Sequence, residues 1–237
     1  MNLKQFSVLL KNNNMSISSE QWDLFEKYFL TLVEWNERMN LTAITDKEQV
    51  YIKHFYDSIS LSFYVSMSQI NTLADIGSGA GFPSIPLKIM FPHLKISIID
   101  SLNKRIGFLN HLTSELQLND VKCIHGRAEE LGRNQNLRDH FDLVTARAVA
   151  KLNVLNEYCL PFVKEGGSFV AMKGPNTSVE INEANNSLKQ LKGSLQKVVN
   201  FQLPDHSDRN FIFIHKSGLT PKKYPRSPGI PIKKPLI

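Results

Sequence analysis

The spacing of hydrophobic residues changes near residue 70 and divides the chain into two regions with different patterns. In the first region, large apolar side chains recur every three or four positions and so share one helix face: Trp22, Phe25, Phe29, Leu32 and Trp35. Ser18 and Gln21 form a capping-box pattern that predicts the start of this helix. Thr45 and Glu48 repeat the pattern and predict a second helix to about residue 65, after a loop over residues 40–44.

From Thr72 onward, short apolar runs alternate with helical patterns. The strand candidates are 72–76, 95–100, 121–125, 141–146, 168–172, 197–203 and 210–215, and the helical patterns fill 84–91, 103–118, 151–164 and 178–192. Such alternation predicts a parallel sheet with helices on both faces. Only residues 204–209 separate the last two strand candidates, so this pair is predicted to be antiparallel. The predicted fold class is therefore α/β, with a Rossmann-like, mostly parallel seven-stranded sheet.

Pattern and charge together divide the chain into three expected parts: an N-terminal helical extension over residues 1–65, an α/β domain over 66–217 and a C-terminal tail over 218–237. The net charge of +6 arises at the C-terminal end, because seven of the 28 basic residues and none of the 22 acidic residues follow residue 208. Five prolines interrupt the tail, which predicts an extended and pinned, or disordered, segment without helix. A basic arm favours binding to a nucleic acid, and a merely solubilising tail is the alternative.

Several function classes are disfavoured by the sequence. No apolar run approaches the roughly 20 residues that span a bilayer, and the N-terminus has no signal-peptide pattern, so we expect a cytoplasmic protein without membrane contact. Cys123 and Cys159 form no C-x-x-C pattern and the histidines have no zinc spacing, so no metal is expected. His54, Asp57 and Ser58 share a helix face, but a hydrolase triad is disfavoured because there is no G-x-S-x-G elbow.

The most informative motif follows the first strand candidate, where Gly77, Gly79 and Gly81 alternate after Asp75. Glycine permits positive φ and lets the backbone approach a ligand closely. Dinucleotide sites prefer the spacing G-x-G-x-x-G and a phosphate, whereas a carboxylate beside the turn suits an ammonium group. The motif therefore resembles the S-adenosylmethionine site of class I methyltransferases, whose cofactor carries an α-amino group and a sulfonium. A glycine-rich turn without a ligand is the alternative.

Polar residues follow the later strand candidates. Asp100 ends the second one, where it could accept hydrogen bonds from a ribose diol or, alternatively, cap the helix that starts at Leu102. Arg127-Ala128-Glu129 follows the third strand candidate, at the position that faces the adenine in this fold. Arg147 lies just past the fourth, where substrate and cofactor meet, and an arginine there fits the crevice better than the core.

The absence of two catalytic motifs reduces the number of chemical groups that could accept the methyl group. Methylation of pyrimidine C5 needs a cysteine nucleophile, and Cys159 has the sequence surroundings of a core residue. Methylation of amino groups commonly uses an Asn/Asp-Pro-Pro-aromatic loop, which is missing after the fourth strand candidate. Guanine N7 needs neither device, because its lone pair lies in the ring plane and alignment with the methyl group suffices.

Motifs along nearly the whole chain resemble one bacterial family, methyltransferase G of the small-subunit rRNA, also called glucose-inhibited division protein B. They are, in chain order, Trp35-Asn36-Glu37, Asn40-Leu41-Thr42, His54-Phe55-Tyr56-Asp57-Ser58, Gly77-Ser78-Gly79-Ala80-Gly81-Phe82-Pro83, Asp100-Ser101-Leu102-Asn103-Lys104-Arg105, Arg127-Ala128-Glu129, Thr145-Ala146-Arg147-Ala148-Val149-Ala150, Lys173-Gly174, Lys223-Tyr224-Pro225-Arg226 and Gly229. The resemblance implies a class I S-adenosylmethionine-dependent methyltransferase that modifies N7 of a guanine in the 530 loop of 16S rRNA. Ser84 departs from the family, which often has glycine there, and we expect cofactor binding to survive this change.

The resemblance and the motifs also imply roles for individual residues. The cofactor site would contain Asp75, Gly77, Ser78, Gly79, Gly81, Phe82, Asp100, Ala128, Glu129 and Arg147. The candidate catalytic residues around the acceptor are Asn40, His54, Arg127, Arg147 and Lys173, and the candidate RNA contacts are Arg209, Lys222, Lys223 and Arg226. For His54, a buried structural histidine that links the helical extension to the sheet is the alternative.

The expected partner is the 16S rRNA of the small ribosomal subunit, and we expect the chain to act as a monomer. Two other functions stay open at this point. One is a class I methyltransferase that acts on a protein or a small molecule. The other is a non-catalytic ribosome-binding factor that retains the fold.

Overall fold

A seven-stranded mixed sheet forms the centre of the computed structural model, which describes residues 1–237. Its strands are β1 (Thr72–Ile76), β2 (Lys95–Asp100), β3 (Val121–His125), β4 (Phe141–Arg147), β5 (Val163–Lys173), β6 (Gly193–Gln202) and β7 (Asp208–Lys216). Their order across the sheet is β3-β2-β1-β4-β5-β7-β6. β1 to β5 are parallel, and β7 is antiparallel to both of its neighbours. The predicted α/β fold with one antiparallel strand is confirmed.

The predicted strand boundaries hold for β1 to β3 and fall short for the later strands. β5 begins at Val163 rather than at residue 168. Its amino end could not be predicted from hydrophobic residues, because residues 164–166 are exposed and not hydrophobic. β6 begins at Gly193 rather than at residue 197 for a similar reason, since most of its side chains are exposed or half-buried at the sheet edge.

The N-terminal region is helical, as predicted, but an additional helix precedes the first predicted one, and the second predicted helix is divided into several short helical segments. Its elements are α1 (Leu3–Lys11), α2 (Ser19–Met39), α3 (Lys47–Val50), a π-helical segment (Tyr51–Tyr56), α4 (Asp57–Ile59) and two 3₁₀ turns (Ser60–Phe63 and Met67–Gln69). The capping box of α2 is confirmed, since Gln21 N donates to Ser18 Oγ and Ser18 N donates to Gln21 Oε1. The predicted Thr45–Glu48 box is wrong, because Asp46 caps α3 by accepting a hydrogen bond from the backbone N–H three residues later.

Helices cover both faces of the sheet, as predicted. The elements after β1 are α5 (Ser84–Met90), α6 (Asn103–Glu115), α7 (Ala128–Leu131), α8 (Leu152–Cys159), α9 (Ser178–Glu183) and α10 (Asn185–Gln190). α5 and α6 share one hydrophobic cluster with the N-terminal helices, and α8 and α10 belong to a second cluster on the other face. The predicted helix 151–164 ends early, at Cys159, and the predicted helix 178–192 is split at Ala184.

The N-terminal helices support the segment that follows β1. Tyr28 of α2 donates a hydrogen bond to the Ala80 carbonyl, and its ring stacks on Phe82 with centroids 5.5 Å apart. Gln21 Nε2 donates to the Ile89 carbonyl in α5 at 3.0 Å. The helical extension is therefore packed against the underside of the glycine turn, and the two share one core.

The C-terminal tail is pinned to the α/β domain, and the prediction that it contains no helix is wrong for one short turn. Residues Ile230–Lys233 form α11, in which proline occupies an early position where its missing N–H costs no hydrogen bond. Arg138 holds the preceding stretch by donating to the Thr220 carbonyl at 2.6 Å and the Tyr224 carbonyl at 2.9 Å. No helix in the structure combines the length and the apolar character that a membrane crossing requires.

Candidate active site

The three glycines of the turn after β1 all have positive φ, at +73° for Gly77, +62° for Gly79 and +98° for Gly81. A Cβ added to Gly77 would lie 2.7 Å from Val149, and one added to Gly81 would lie 2.8 Å from Ile85. A Cβ added to Gly79 would meet no protein atom within 4 Å. The outer glycines therefore permit close packing, and the middle one leaves open space above the backbone where a ligand can approach.

Asp75 lies beneath this turn rather than at its surface. Its carboxylate accepts hydrogen bonds from Ser84 N at 3.2 Å and from Thr145 Oγ1 at 3.3 Å. Burial raises the pKa of Asp75 to about 6. The turn is thus braced from inside, and the predicted contact between Asp75 and a ligand ammonium group stays a prediction.

Ser84 and Ser78 complete the brace. Their hydroxyl groups are 3.2 Å apart, both side chains are buried, and the Ser84 hydroxyl also donates to the Gly81 carbonyl. A serine at position 84 therefore adds hydrogen bonds within the turn and leaves the open space beside Gly79 unoccupied.

Asp100, at the end of β2, joins the turn to the next strand. Its Oδ2 accepts a hydrogen bond from Gly79 N at 3.1 Å, and its Oδ1 accepts one from Leu102 N at 2.9 Å. Asp100 is not the N-cap of α6, because Leu102 occupies that position without a side-chain cap, so this alternative is wrong in detail. The carboxylate lies next to the open glycine, where a ribose diol would have to bind.

A pocket of about 200 Å³ opens beside the turn, between the ends of β1, β2 and β3. We call it the Glu129 pocket, and its walls include Gly77, Arg127, Ala128, Glu129, Tyr158 and Ile232. The structure thus brings together Gly77, Ala128 and Glu129, three of the predicted cofactor residues. Arg127 belongs to this pocket as well, rather than to the acceptor side where the resemblance had placed it.

A second cavity, of about 310 Å³, lies between the end of β4 and the N-terminal helices. We call it the Arg147 cleft, and its walls include Lys53, His54, Asp57, Arg147, Lys173 and Arg209. The cleft brings together four predicted site residues, His54, Arg147, Lys173 and Arg209. Three carboxylates pair with its four cations: Asp57 with both arginines, Asp205 with Lys53 and Glu180 with Lys173, so the cleft keeps one positive charge in excess.

Arg147 connects the sheet to the N-terminal helices. Its guanidinium donates to Asp57 Oδ2 at 3.0 Å and to the Lys53 carbonyl at 3.2 Å, and it lies 4.9 Å from the Phe82 ring centroid. Arg209 Nε approaches the other Asp57 oxygen at 3.2 Å, although without the alignment of a hydrogen bond. Asp57 therefore holds the two arginines side by side at the edge of the cleft.

His54 is a neutral link in this network. Its ring stacks on Phe82 with centroids 4.5 Å apart, and its Nε2 lies 2.9 Å from Thr42 Oγ1. Burial, and then the neighbouring Arg147 charge, lower the pKa of His54 to about 3. These contacts agree with the alternative in which His54 joins the helical extension to the sheet.

We expect the His54 imidazole to stay neutral from pH 8 to about pH 5 in the folded protein, as measured by NMR of its ring protons. The unfolded chain binds a proton at this residue near pH 6.5, and the native chain only near 3, so His54 makes stability fall as the pH drops between those values. A His54 titration with a midpoint above pH 6 would contradict this arrangement.

Lys173 is held by protein groups on the rim of the cleft. Its Nζ donates to the Ala150 carbonyl and to Glu180 Oε2, each at 2.6 Å, and Glu180 also accepts from Leu152 N. The side chain is 12% exposed. Lys173 therefore fixes the loop after β4, and this loop carries Val149 over Gly77.

Several predicted residues lie outside both cavities. Asn40 ends α2 in a left-handed conformation, and Phe82 is buried under Arg147 and His54. Lys222 and Lys223 are exposed on the tail. Arg226 forms an ion pair with the buried Glu157 at 2.6 Å, which gives it a structural role, and its predicted RNA contact stays a prediction.

Among the cavity-lining residues that the sequence interpretation missed are Lys53, Val149, Tyr158 and Ile232. It also weighed Asp57 only as part of a hydrolase triad. A role for Asp57 in an ion pair could have been predicted, because a carboxylate on a mostly apolar helical stretch needs a cationic partner once it is buried. The sequence offers no such indication for the other four, since only the packing of distant segments against one another brings them to the cavities.

Comparisons with known proteins agree with the family that the motifs resemble. The family model described as rRNA small subunit methyltransferase G matches residues 21–212. The ribosomal RNA small subunit methyltransferase G of Exiguobacterium sibiricum is 55% identical over 237 residues, which is 100% of both chains. The protein with the same name from Bacillus thuringiensis is 54% identical and covers 100% of this chain and 99% of its own.

Solved structures support the fold alone. An O-methyltransferase from Bacillus cereus in complex with SAH has a TM-score of 0.58 at 13% identity, covering 91% of this chain and 100% of that one. The O-methyltransferase TomG from Streptomyces achromogenes in complex with SAM also has a TM-score of 0.58, at 14% identity, covering 92% and 100%. Both have the fold that the glycine turn predicts. Because a family model matches most of its length and a relative shares more than half of its residues from end to end, the chain belongs to the rRNA small subunit methyltransferase G family.

Proposed function

We propose that the protein is an S-adenosylmethionine-dependent methyltransferase that acts on N7 of a guanine in the 530 loop of 16S rRNA. Family membership supports small-subunit rRNA as the substrate and S-adenosylmethionine as the cofactor. The observation that carries the proposal is the position of residues 147–149. Arg147 and Ala148 line the Arg147 cleft, whereas Val149 lines the Glu129 pocket. A methyl donor in the Glu129 pocket and an acceptor base in the Arg147 cleft would therefore lie on either side of this short segment.

The residues around the glycine turn fit the cofactor. When bound, S-adenosylmethionine supplies a methyl group activated by a sulfonium. The open backbone at Gly79 leaves room for a ligand, and the Asp100 carboxylate next to it can accept hydrogen bonds from a ribose. The Glu129 pocket offers apolar walls and a carboxylate for the adenine.

The Arg147 cleft fits the acceptor. Guanine presents O6 and N7 as neighbouring acceptors, and arginine is the side chain that most often recognises this edge. Arg147 and Arg209 are held in place by Asp57, and Lys53, which pairs with Asp205 at 3.4 Å, also lines the cleft where an RNA phosphate would bind. The neutral His54 stacks under the site and adds no charge of its own.

No general base is needed for this reaction. N7 reacts through an in-plane lone pair, and the product ring keeps all its protons and becomes cationic. The contribution of the protein is then alignment of the acceptor with the methyl group. The paired cavities, together with the intact turn, favour an enzyme over the alternative of a non-catalytic ribosome-binding factor.

The RNA surface that we propose consists of the Arg147 cleft together with the exposed Lys222 and Lys223 of the tail. Arg226 is left out because its guanidinium is paired inside the protein. We also propose that the chain works as a cytoplasmic monomer, which light scattering and cell fractionation would test.

Both Cys123→Ala and Cys159→Ala variants should retain methyl transfer. Burial raises the pKa of Cys123 to about 11 and that of Cys159 well above its usual range, so neither forms the thiolate that C5 chemistry requires. Cys159→Ala should lose about 1 kcal/mol of stability, because the residue is fully buried. A well-folded Cys159→Ala protein without activity, combined with a covalent RNA adduct in the wild type, would point to C5 and overturn the N7 proposal.

The proposed activity is tested directly with radiolabelled S-adenosylmethionine and either 30S particles or naked 16S rRNA from a strain that lacks the gene. We expect label in the 16S rRNA, and borohydride and aniline treatment should cleave the chain at the labelled nucleotide because N7-methylguanine is lost readily. Label that resists this treatment would contradict N7 as the acceptor, and label in protein alone would favour the alternative substrate class.

A further inference from the structure

The C-terminal tail reaches the Glu129 pocket. Gly229 N donates a hydrogen bond to Glu129 Oε1 at 2.9 Å, and Ile232, in α11, forms part of the pocket wall. Glu129 is 3% exposed, so its carboxylate depends on such donors. A segment that the sequence predicts as an RNA-binding arm thus contributes to the wall of the proposed cofactor site.

The tail is fixed in this position by a buried ion pair just before Gly229. Arg226 donates to the Glu157 carboxylate through Nη2 at 2.6 Å, through Nε at 2.9 Å and through its backbone N at 2.7 Å. Glu157 lies in α8, and its side chain is 1% exposed. Because the ion pair fixes Arg226 against α8, it also fixes the course of residues 227–229 and the direction of the Gly229 amide.

Gly229 contacts Glu129 of this pocket and Ile232 lines it, and neither residue belongs to the hydrophobic core. Gly229 has a φ of +80°, a conformation that side chains disfavour, and this φ turns its amide toward Glu129. Ile232 is 63% exposed even though it forms part of the pocket wall. A bound adenosine group in the pocket would cover this side chain.

We propose that the tail completes the cofactor pocket, with the Gly229 amide holding the Glu129 carboxylate and Ile232 contacting the adenosine part of S-adenosylmethionine. This inference rests on the proposed function, since it assigns the pocket to that cofactor. It gives the tail a part in cofactor binding, whereas the sequence predicts only a nucleic-acid-binding or solubilising arm.

The test compares two exposed isoleucines of the same tail. Ile232→Ser removes the pocket contact, and Ile237→Ser is its matched control, because Ile237 is 74% exposed and lies outside the pocket. The affinity for S-adenosylhomocysteine is measured by calorimetry with the full chain, and melting temperatures confirm that both variants are folded. We expect Ile232→Ser to bind about fivefold more weakly, as the loss of one apolar contact predicts, and Ile237→Ser to bind as the wild type does.

Hydrogen exchange provides a second readout on the unaltered protein. S-adenosylhomocysteine should slow exchange in the peptide that contains Gly229 and Ile232. Equal affinity in all three proteins, equal weakening in both variants, or unchanged exchange would each overturn the inference. If the wild type itself does not bind S-adenosylhomocysteine, the cofactor assignment fails instead, so the two failures are distinguishable.

Discussion

Gly79→Val should abolish binding of S-adenosylhomocysteine in calorimetry while leaving the protein folded. Gly79 lies at the centre of the turn, and a Cβ there would meet no protein atom within 4 Å, so the new side chain would occupy only the space that a ligand needs. The positive φ of +62° adds a backbone cost of about 1–2 kcal/mol, which lowers the melting temperature without unfolding the chain.

Gly166→Val is the matched control for this backbone strain. Gly166 has a φ of +79°, and a Cβ there would also meet no protein atom within 4 Å, but it lies near the amino end of β5, away from the turn. Both variants should lose similar stability, and only Gly79→Val should lose the ligand. Equal binding by the two variants would mean that the turn does not face the cofactor.

Arg226→Met should destabilise the protein by about 3 kcal/mol, which is roughly 6–12 °C in melting temperature for a chain of this size. The reason is that Glu157 is left buried and unpaired, whereas it now accepts hydrogen bonds from both the side chain and the backbone of Arg226. The value is at the lower end of the range for buried pairs because the Arg226 side chain is 24% exposed.

Lys222→Met is the control for the loss of one positive charge from the tail. Lys222 is exposed and makes no ion pair, so its replacement should change stability by less than about 0.5 kcal/mol. RNA affinity should fall for Lys222→Met through the loss of a phosphate contact. If Arg226→Met keeps the wild-type melting temperature and weakens only RNA binding, the original assignment of Arg226 to the RNA surface is correct after all.

The sheet and the glycine turn could be predicted because local rules decide them. β1 to β3 are short, mostly apolar runs whose first and last residues are clear from the sequence. Alternating glycines directly after a strand indicate a turn with positive φ, which other residues rarely adopt. Arg147 could be placed at a cavity and Asp100 beside the glycine turn because parallel strands bring the residues at their carboxyl ends to the same edge of the sheet. The Thr45–Glu48 cap failed for a local reason, since Asp46 is an equally good cap one residue later.

The rest of the site depends on contacts between distant parts of the chain. Arg226 pairs with a glutamate in a helix that is apolar along most of its length, and nothing near either residue indicates the pair. Lys216 is one of the seven basic residues that follow residue 208, but it ends β7 and is fully buried, donating to backbone carbonyls and to Asp139. The charge composition therefore favours an anionic partner for this end of the chain without showing which residues could contact it. Only the fold distinguishes the exposed Lys222 and Lys223 from Lys216 and Arg226, which form ion pairs within the protein.

The most direct measurement of the central claim is mass mapping of 16S rRNA from a parent strain, a strain lacking this gene, and the same strain complemented with the wild type or with Gly79→Val. The account predicts that one guanosine of the 530 loop lacks a methyl group at N7 in the deletion strain, that the wild-type gene restores it, and that Gly79→Val does not. Unchanged methylation of that loop in the deletion strain, or loss of a methyl group from another base or another atom, would contradict it.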